Sequence, residues 1–193
     1  MDKFAERRAQ LAAAALKTLA QQGYANTSLR DIAQNSEFSH GVLHYYFEDK
    51  FELVTYCVRE YKSRCVRRYD TIVATAATAG ELLAGVGAEM MATMRDEADM
   101  HRLWYDLRNQ SQFDERFRAD VSDIDASLEQ MIWRIVSRYA ELAGTVPAVS
   151  PELAYALADG VFQQSLLAYL GGDDAALGRF GAHMQQVLPS LLA

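Results

Sequence analysis

The chain has 193 residues, half of them hydrophobic, and its formal net charge is −7 at pH 7. This is enough for one large domain, or for a small domain that shares a core with a larger one. No apolar run approaches the roughly 18 residues that a membrane-spanning helix needs. The stretch Met1–Arg8 has no apolar signal core after its charges. We therefore expect a cytoplasmic protein with no membrane partner.

The acidic charge is unevenly distributed. Residues 1–50 contain six basic and six acidic side chains, so the rest of the chain carries the whole net charge. Because nucleic-acid affinity depends on local basic groups, this distribution permits binding of a polyanion by the N-terminal part. A basic run further along the chain is interpreted as a solvated helix face paired with acidic neighbours: Arg59, Lys62, Arg64, Arg67 and Arg68.

The two cysteines, Cys57 and Cys65, are eight residues apart in a helical pattern. Eight residues of helix rise about 12 Å, which is beyond the reach of a disulfide. We expect both to be small buried apolar residues, and a redox-sensing pair is the alternative.

Helical periodicity predicts the N-terminal elements. The first helix covers Lys3–Gln22, with Phe4 on the same face as its apolar residues, and Gly23 is its left-handed C-cap. The second begins after Thr27 or Ser28. The third is capped by Ser39 and the long fourth by Asp49.

The same periodicity continues to the end of the chain. A fifth helix is predicted near residues 83–94, a short sixth near 103–107 and a long seventh near 117–142. Ser150 and Pro151 begin the eighth, Gly171 and Gly172 end it, and the ninth has an apolar seam over 177–191. No alternating pattern is long enough for a sheet. The sequence therefore predicts an all-α protein of about nine helices.

Residues 24–53 are predicted to form two short helices joined by a tight turn. This arrangement is typical of a helix-turn-helix, whose second helix enters the major groove of DNA. Small residues at the start of that helix, Ser39 and Gly41, would let its backbone approach the base edges. Polar and aromatic side chains follow at His44, Tyr45 and Tyr46.

The chain resembles the N-terminal domain of TetR-type transcriptional regulators over roughly its first quarter. The matching residues are Gly23-Tyr24, Thr27-Ser28, Asp31-Ile32-Ala33, Ser39 with Gly41, Tyr45-Tyr46-Phe47, and Lys50 with Leu53. The resemblance implies a three-helix DNA-binding domain over residues 1–48. A larger helical ligand-binding and dimerisation domain would follow over residues 49–193.

Two kinds of DNA contact are expected, because phosphate contacts position a protein and base contacts specify a sequence. Phosphate contacts are assigned to Thr27, Ser28, Arg30, Tyr46 and Lys50. Base contacts are assigned to His40, Gly41, Val42 and Tyr45, and Ser39 and His44 complete the surface.

Three residues depart from the family pattern. Glu37 stands where a turn glycine is usual, which would cost about 1 kcal/mol at a positive φ unless the turn closes differently. Val42 replaces a threonine and His44 a tyrosine. His40 and His44 also have metal-ligand spacing, but only Glu48 lies nearby as a further ligand, so no metal and no cofactor is predicted.

The resemblance implies a pocket between helices for a small molecule, largely apolar or aromatic. The alternative for each candidate is ordinary core. Arg108 would pair with Asp106 or Asp123, or hold an anionic ligand. The candidates are Tyr61, Met90, Met94, Trp104, Arg108, Phe117, Trp133, Tyr155 and Phe162.

A second interpretation concerns the aromatic residues Trp104, Tyr105 and Trp133, which could form a cage for a quaternary ammonium. Residues 101–108 resemble the choline-responsive branch of the family.

The last two helices are expected to form half of a four-helix bundle that a second copy completes. A two-fold homodimer places two recognition helices about 34 Å apart on double-stranded DNA, which implies a palindromic operator. Charged substitutions at Leu177 and Phe180 would then give monomers. The expected interface residues are Leu157, Val161, Leu177, Phe180, Met184 and Val187.

The preferred interpretation is a ligand-responsive transcriptional repressor rather than an enzyme. The sequence has no glycine-rich phosphate loop, no nucleophile elbow and no Cys2His2-like cluster. A helical binding module without DNA recognition is the main rival. The sequence does not distinguish a repressor from an activator.

Overall fold

A computed structural model describes residues 3–193 and confirms the all-α prediction. No strand occurs in that range, and its one isolated β-bridge joins Pro147 and Leu192. The described residues form ten α-helices, one more than the sequence predicted, and the additional helix is the short one at Asp70–Thr75. The helices are α1 Lys3–Gln22, α2 Leu29–Gln34, α3 His40–Tyr46, α4 Lys50–Cys65, α5 Asp70–Thr75, α6 Ala79–Asp96, α7 Ala98–Gln110, α8 Arg118–Ala143, α9 Pro151–Leu170 and α10 Ala176–Ser190, with a 3-10 turn at Glu115–Phe117.

The described chain forms two compact units. The first unit contains the residues up to Arg64 together with Asp99–Ile124, and the second contains Cys65–Ala98 and Asp125–Ala193. The predicted boundary between residues 48 and 49 falls inside the first unit. Most of α4 and α7 therefore belongs to the same compact body as the helix-turn-helix.

Local capping explains where the N-terminal helices begin and end. Gly23 has a φ of 78° and donates its N–H to the carbonyl of Leu19 at 2.8 Å, which ends α1. Ser28 and Asp31 form a complete capping box at the start of α2. Ser39 caps α3 by accepting from the N–H of Val42 at 3.3 Å.

The turn between α2 and α3 closes without a left-handed residue. No described residue other than glycine has a positive φ. Asn35 ends α2 with a φ of −97°, and the hydroxyl of Ser36 accepts from the N–H of Phe38 at 3.3 Å. Glu37 is exposed in this turn. It therefore carries none of the backbone strain that a positive φ would impose.

The loop after α1 is held from two sides by polar contacts, which we call the Tyr24 clamp. Asp106 of α7 accepts from the backbone N–H of Tyr24 at 2.7 Å. Lys50 of α4 donates to the backbone carbonyl of Tyr24 at 2.8 Å, and its ammonium lies 4.0 Å from the centroid of the Tyr24 ring. Arg102, one turn before Asp106, donates to the carbonyl of Ala20 at 2.6 Å. The clamp thus fixes the entry to α2 relative to α4 and α7.

The clamp is partly shielded from water. Burial lowers the pKa of Lys50, and the negative charge of Asp106 opposes that shift. Burial also raises the pKa of Tyr24. Phe117 packs edge-on against the Tyr24 ring at 5.0 Å, and Phe51 packs against Phe117 at 4.7 Å. An aromatic cluster therefore covers one side of the clamp.

Both cysteine side chains are free and buried, as expected. The thiol of Cys57 donates to the carbonyl of Ala12 at 3.2 Å, and burial raises its pKa. Cys65 is 7 % exposed.

The core of the second unit is built by α6, α9 and α10. The Phe180 ring is fully buried and meets Phe162 edge-on at 5.6 Å. Met184 is also buried. Gly181 lets α10 approach α6, since a Cβ there would lie 2.9 Å from the sulfur of Met91. The inner face of α10 is consequently used within the chain.

The first prediction concerns the left-handed end of α1. Gly23→Ala should lower the free energy of unfolding by about 1–2 kcal/mol, because an L side chain is strained at this φ. Its Cβ would also lie 3.2 Å from Oδ2 of Asp106. Chemical denaturation measures the change. Gly80→Ala is the control, since that helical position has no neighbour within 4 Å of a Cβ. Equal stabilities of the two variants would contradict the prediction.

A second prediction separates the two roles available to Lys50. If its ammonium stabilises the Tyr24 clamp, Lys50→Met should lower the free energy of unfolding by about 1 kcal/mol in the absence of DNA. A lysine that only contacts phosphate would leave the stability of the free protein unchanged. Lys17→Met, at an exposed position of α1, is the matched control.

Candidate functional site

The third helix presents a continuous surface for recognition. Leu43 is its buried anchor, while His40, Gly41, His44 and Tyr45 are exposed. The first turn therefore offers only small or flat groups, so that the backbone can approach a base edge. Val42 lies half-buried beside them. The structure brings together all the residues assigned to base contact.

Tyr45 is a large aromatic side chain of this surface, with 74 % of its area exposed. Its ring meets Tyr46 edge-on at 5.0 Å. Phe4 lies 4.7 Å from the Tyr46 ring and 6.3 Å from the Tyr45 ring. Phe4 is 43 % exposed, so it does not join the core of α1 as its spacing suggested. It instead supports the two tyrosines from the side.

The two histidine side chains of α3, His40 and His44, contact each other. The rings of His40 and His44 are 4.5 Å apart and nearly perpendicular. Residues 3–193 contain no group of three or more His, Cys, Asp or Glu residues placed to hold a metal ion. Both imidazoles face outward on α3, where they are available to groove edges or phosphates.

The residues at the start of α2 that were assigned to phosphate contacts are not all exposed. Thr27 is only 2 % exposed and donates its hydroxyl to the carbonyl of Gly23 at 2.7 Å, so its side chain faces the loop rather than a phosphate. Ser28 and Arg30 are exposed. The Ser28 hydroxyl lies 2.5 Å from Oδ2 of Asp31, and this hydrogen bond lowers the pKa of Asp31. The hydroxyl oxygen of Ser28 also accepts from the backbone N–H of Asp31, which caps α2.

Lys50 is the second departure, because its ammonium contributes to the Tyr24 clamp instead of projecting freely. It nevertheless borders a cleft of about 490 Å³ that also includes Ser28 and His44. Glu48 and Asp49 lie on the same cleft. Residues from the starts of α2 and α4 are thereby brought beside the outward face of α3.

Arg7 is a candidate that the sequence pattern did not single out. Its guanidinium lies 4.6 Å from the centroid of the Phe38 ring, immediately before the cap of α3. It also donates to the side chain of Gln10 at 2.9 Å. Arg7 is exposed, and its charge is held at the edge of the recognition surface. Its position on a helix N-terminal to the motif gave no sequence signal.

The expected ligand-pocket residues are divided between the two units. In the first unit Tyr61, Trp104 and Phe117 are buried and Arg108 is half-buried. In the second unit Met90 and Met94 are buried, while Trp133, Tyr155 and Phe162 are partly exposed. Of the two acidic residues considered for Arg108, Asp106 accepts from the backbone N–H of Tyr24 at 2.7 Å, and Asp123 lies 3.0 Å from Arg59.

A polar cluster lies inside the first unit, between α4 and α7, and we call it the Trp104 cluster: Tyr61, Lys62, His101 and Trp104. Lys62 is only 5 % exposed, and its Nζ lies 5.1 Å from the centroid of the Trp104 ring. Nε2 of His101 is 3.5 Å from the hydroxyl of Tyr61. The solvated face expected for the basic run therefore does not include Lys62.

One face of α9 remains apolar and open to solvent. Leu153, Leu157 and Leu167 are exposed there, and Val161 is half-buried beside them. A groove of about 370 Å³ between α9 and α10 is lined by Val161, Gln164, Arg179, His183 and small residues. Of the other expected interface residues, Leu177 and Val187 are half-buried, whereas Phe180 and Met184 lie in the interior. The inner positions of α10 therefore cannot supply a surface in this conformation.

No helix within residues 3–193 combines the length and hydropathy needed to cross a membrane. The sequence of residues 11–57 matches the family model of the bacterial regulatory proteins of the tetR family. These residues include α2, α3 and the first half of α4. Comparison with curated proteins gave no match.

Solved structures of transcriptional regulators, among them one of a TetR-family regulator, have the same fold over nearly the whole chain. A regulator from Rhodococcus sp. is 16 % identical, with a TM-score of 0.76 and coverage of 98 % of this chain and 100 % of that one. One from Saccharomonospora viridis, in complex with choline, is 18 % identical, with a TM-score of 0.79 and coverage of 97 % and 98 %. FadR from Bacillus subtilis, in complex with stearoyl-CoA, is 19 % identical, with a TM-score of 0.72 and coverage of 95 % and 97 %.

The family match covers the helix-turn-helix together with two members of the Tyr24 clamp, Tyr24 and Lys50. The structural likeness extends this agreement in fold to the remaining helices. Residues 11–57 thus match the tetR family of bacterial regulatory proteins, and the described chain has the fold of solved transcriptional regulators.

Proposed function

We propose that the protein is a cytoplasmic, homodimeric repressor that binds a palindromic operator and is released by a small molecule, largely apolar or aromatic, bound among its C-terminal helices. The observation that carries this proposal is the exposed face of α3. It offers a small first turn followed by exposed imidazole and phenol groups. Such a face suits major-groove readout.

The charge around α3 supports binding to a duplex. Arg7, which packs on the Phe38 ring next to α3, and Arg30, in the first turn of α2, are both exposed and can contact phosphates. Val42 offers a methyl contact to thymine where the family threonine offers a hydroxyl. We therefore expect the operator to differ from those of regulators with the usual residues at positions 42 and 44.

The proposal of a homodimer rests on α9. This helix is apolar on two opposite faces, because Ala154, Ala158 and Leu166 are buried on one side while Leu153 and Leu157 are exposed on the other. A helix that is apolar all round is normally covered all round. A second copy of α9 and α10 would cover the open face in a two-fold four-helix bundle.

The release step is proposed to act through α7. On one side this helix holds the N-terminal domain through Arg102 and Asp106, and on another it places His101 and Trp104 in the interior. A ligand that shifts α7 would also shift the Tyr24 clamp and the orientation of α3. The inducer must then bind the DNA-incompetent state more tightly, and DNA must weaken inducer binding by the same factor.

Selection of bound fragments from a random duplex pool, repeated over a salt series, tests the DNA-binding part directly. A palindromic site and a steep negative dependence of affinity on salt are expected. Weak binding without sequence preference would instead favour a helical module that has lost DNA readout.

The third prediction addresses Tyr45. Tyr45→Ala should weaken binding to the selected site about tenfold, because it removes a largely exposed aromatic side chain of α3. Fluorescence anisotropy with a labelled duplex measures the loss. Phe113→Ala is the matched control, since Phe113 is an aromatic residue of the first unit that is 86 % exposed and lies outside α3. Equal losses in both variants would rule out a specific role for Tyr45.

The fourth prediction concerns the open face of α9. Leu157→Glu combined with Leu167→Glu should give a folded monomer that no longer binds the operator, because two charges would be buried in the interface without partners. Analytical ultracentrifugation measures the oligomeric state. Val146→Glu, at an exposed loop position, should remain dimeric. If the double variant also remains dimeric, the interface lies elsewhere.

A further inference from the structure

Three aromatic side chains meet at the C-terminal end of α3, and we call them the aromatic triad: Phe4, Tyr45 and Tyr46. The centroid of the Phe4 ring lies 4.7 Å from that of Tyr46 and 6.3 Å from that of Tyr45. The centroids of the two tyrosine rings are 5.0 Å apart. All three separations are within the range of favourable ring contacts. Each ring of the triad therefore contacts both of the others.

The triad lies at the surface of the first unit. Tyr45 is 74 % exposed, Phe4 is 43 % exposed and Tyr46 is half-buried. The contacts within the triad thus leave much of its apolar ring surface in water. Adjacent exposed aromatic rings are typical of surfaces that another molecule covers, and tyrosine is enriched in such surfaces. The triad is therefore a candidate contact surface and not a part of the core.

The first two turns of α1 are attached to α3 near both of its ends. Arg7 follows Phe4 by three residues, which places the two on the same side of α1. The guanidinium of Arg7 lies 4.6 Å from the centroid of the Phe38 ring, immediately before the Ser39 cap of α3. Phe4 meets Tyr46, the last residue of α3. These contacts give the Phe4 ring a defined position beside the recognition helix.

The position of the Phe4 ring bears on the freedom of the Tyr45 side chain. An exposed side chain that is mobile in the free protein loses rotamer freedom when it binds a partner, and this loss weakens binding. A side chain that is already held in its bound rotamer avoids most of the loss. Tyr45 has one ring beside it on α3 and a second on α1. These two neighbours leave it fewer rotamers than an isolated exposed tyrosine would have.

We propose that Phe4 is a positioning residue for operator binding, which holds the Tyr45 ring for contact with DNA both directly and through Tyr46. The effect of Phe4 on the operator passes through the Tyr45 ring. This inference rests on the proposed function, because it concerns the proposed contact of Tyr45 with DNA. It extends the DNA-binding surface to a residue of α1 outside the matched residues 11–57.

Substitutions at residue 4 test the role of the ring. Phe4→Ala should weaken binding to the selected operator about fivefold, because the Tyr45 side chain then loses more freedom on binding. Phe4→Tyr keeps an aromatic ring and should stay within about twofold of the parent affinity. Phe113→Ala, which removes an exposed ring elsewhere in the first unit, should leave the affinity unchanged. Fluorescence anisotropy measures all three. A parent-like affinity of Phe4→Ala would overturn the inference.

A double-mutant cycle separates a positioning role from a direct contact or a general loss of structure. Tyr45→Ala removes the side chain through which Phe4 acts. Adding Phe4→Ala to it should therefore weaken operator binding by less than about a further twofold. If Phe4 contacted DNA itself, or if its loss disturbed the whole domain, the two losses would multiply to about fiftyfold. A multiplied loss would overturn the inference.

The free protein gives a readout that does not depend on DNA. Fluorotyrosine incorporated in place of Tyr45 reports the surroundings and the mobility of that ring by fluorine NMR. Phe4→Ala should narrow its resonance and shift it towards that of free fluorotyrosine, because a neighbouring ring has been removed. Phe113→Ala should do neither. A resonance that Phe4→Ala leaves unchanged would contradict the proposed support of Tyr45.

Operator selection with the parent protein separates this inference from the proposed function. If the parent selects a palindromic duplex while the cycle and the fluorine resonance show no link between Phe4 and Tyr45, only the inference fails. If the parent selects no duplex, the proposed function fails and the inference fails with it.

Discussion

The contact on which the N-terminal part of the molecule most depends is the Tyr24 clamp. A single residue in the loop after α1 uses its N–H with α7, its carbonyl with α4 and its ring with both Lys50 and Phe117. The three short helices of the DNA-binding motif have a small core of their own. The clamp adds α4 and α7 to that core and so gives α3 a defined orientation. The same polar contacts would carry any movement of α7 to the recognition helix.

The sequence predicted the helix-turn-helix well because its signals are local. Gly23, Ser28, Ser39 and Asp49 each act within four residues of their own position, and the structure has a helix boundary at each of them. Thr27 and Lys50 were harder to place. Their functional groups can bind either a phosphate or a backbone carbonyl. Which of the two they bind depends on how the loop around Tyr24 packs.

Contacts between residues far apart in the chain could not be predicted from the sequence for a related reason. Lys62 stands in a run of arginines that suggests a solvated face, but its ring partner Trp104 lies 42 residues further along the chain. Likewise, an apolar seam such as that of Phe180 and Met184 has the same spacing whether it packs inside the chain or against a second copy. Only the fold shows that α10 directs it inward, while α9 has a second apolar face that remains open.

The burial of both cysteines has a practical consequence. Since the sequence contains no cysteine other than Cys57 and Cys65, the native surface has no reactive thiol of its own. A cysteine introduced at an exposed position of the first unit, such as Phe113, would accept a spin label selectively, without prior removal of the natural thiols. In the proposed homodimer, pulsed electron resonance between two such labels would then report the separation of the two helix-turn-helix units with and without the proposed effector.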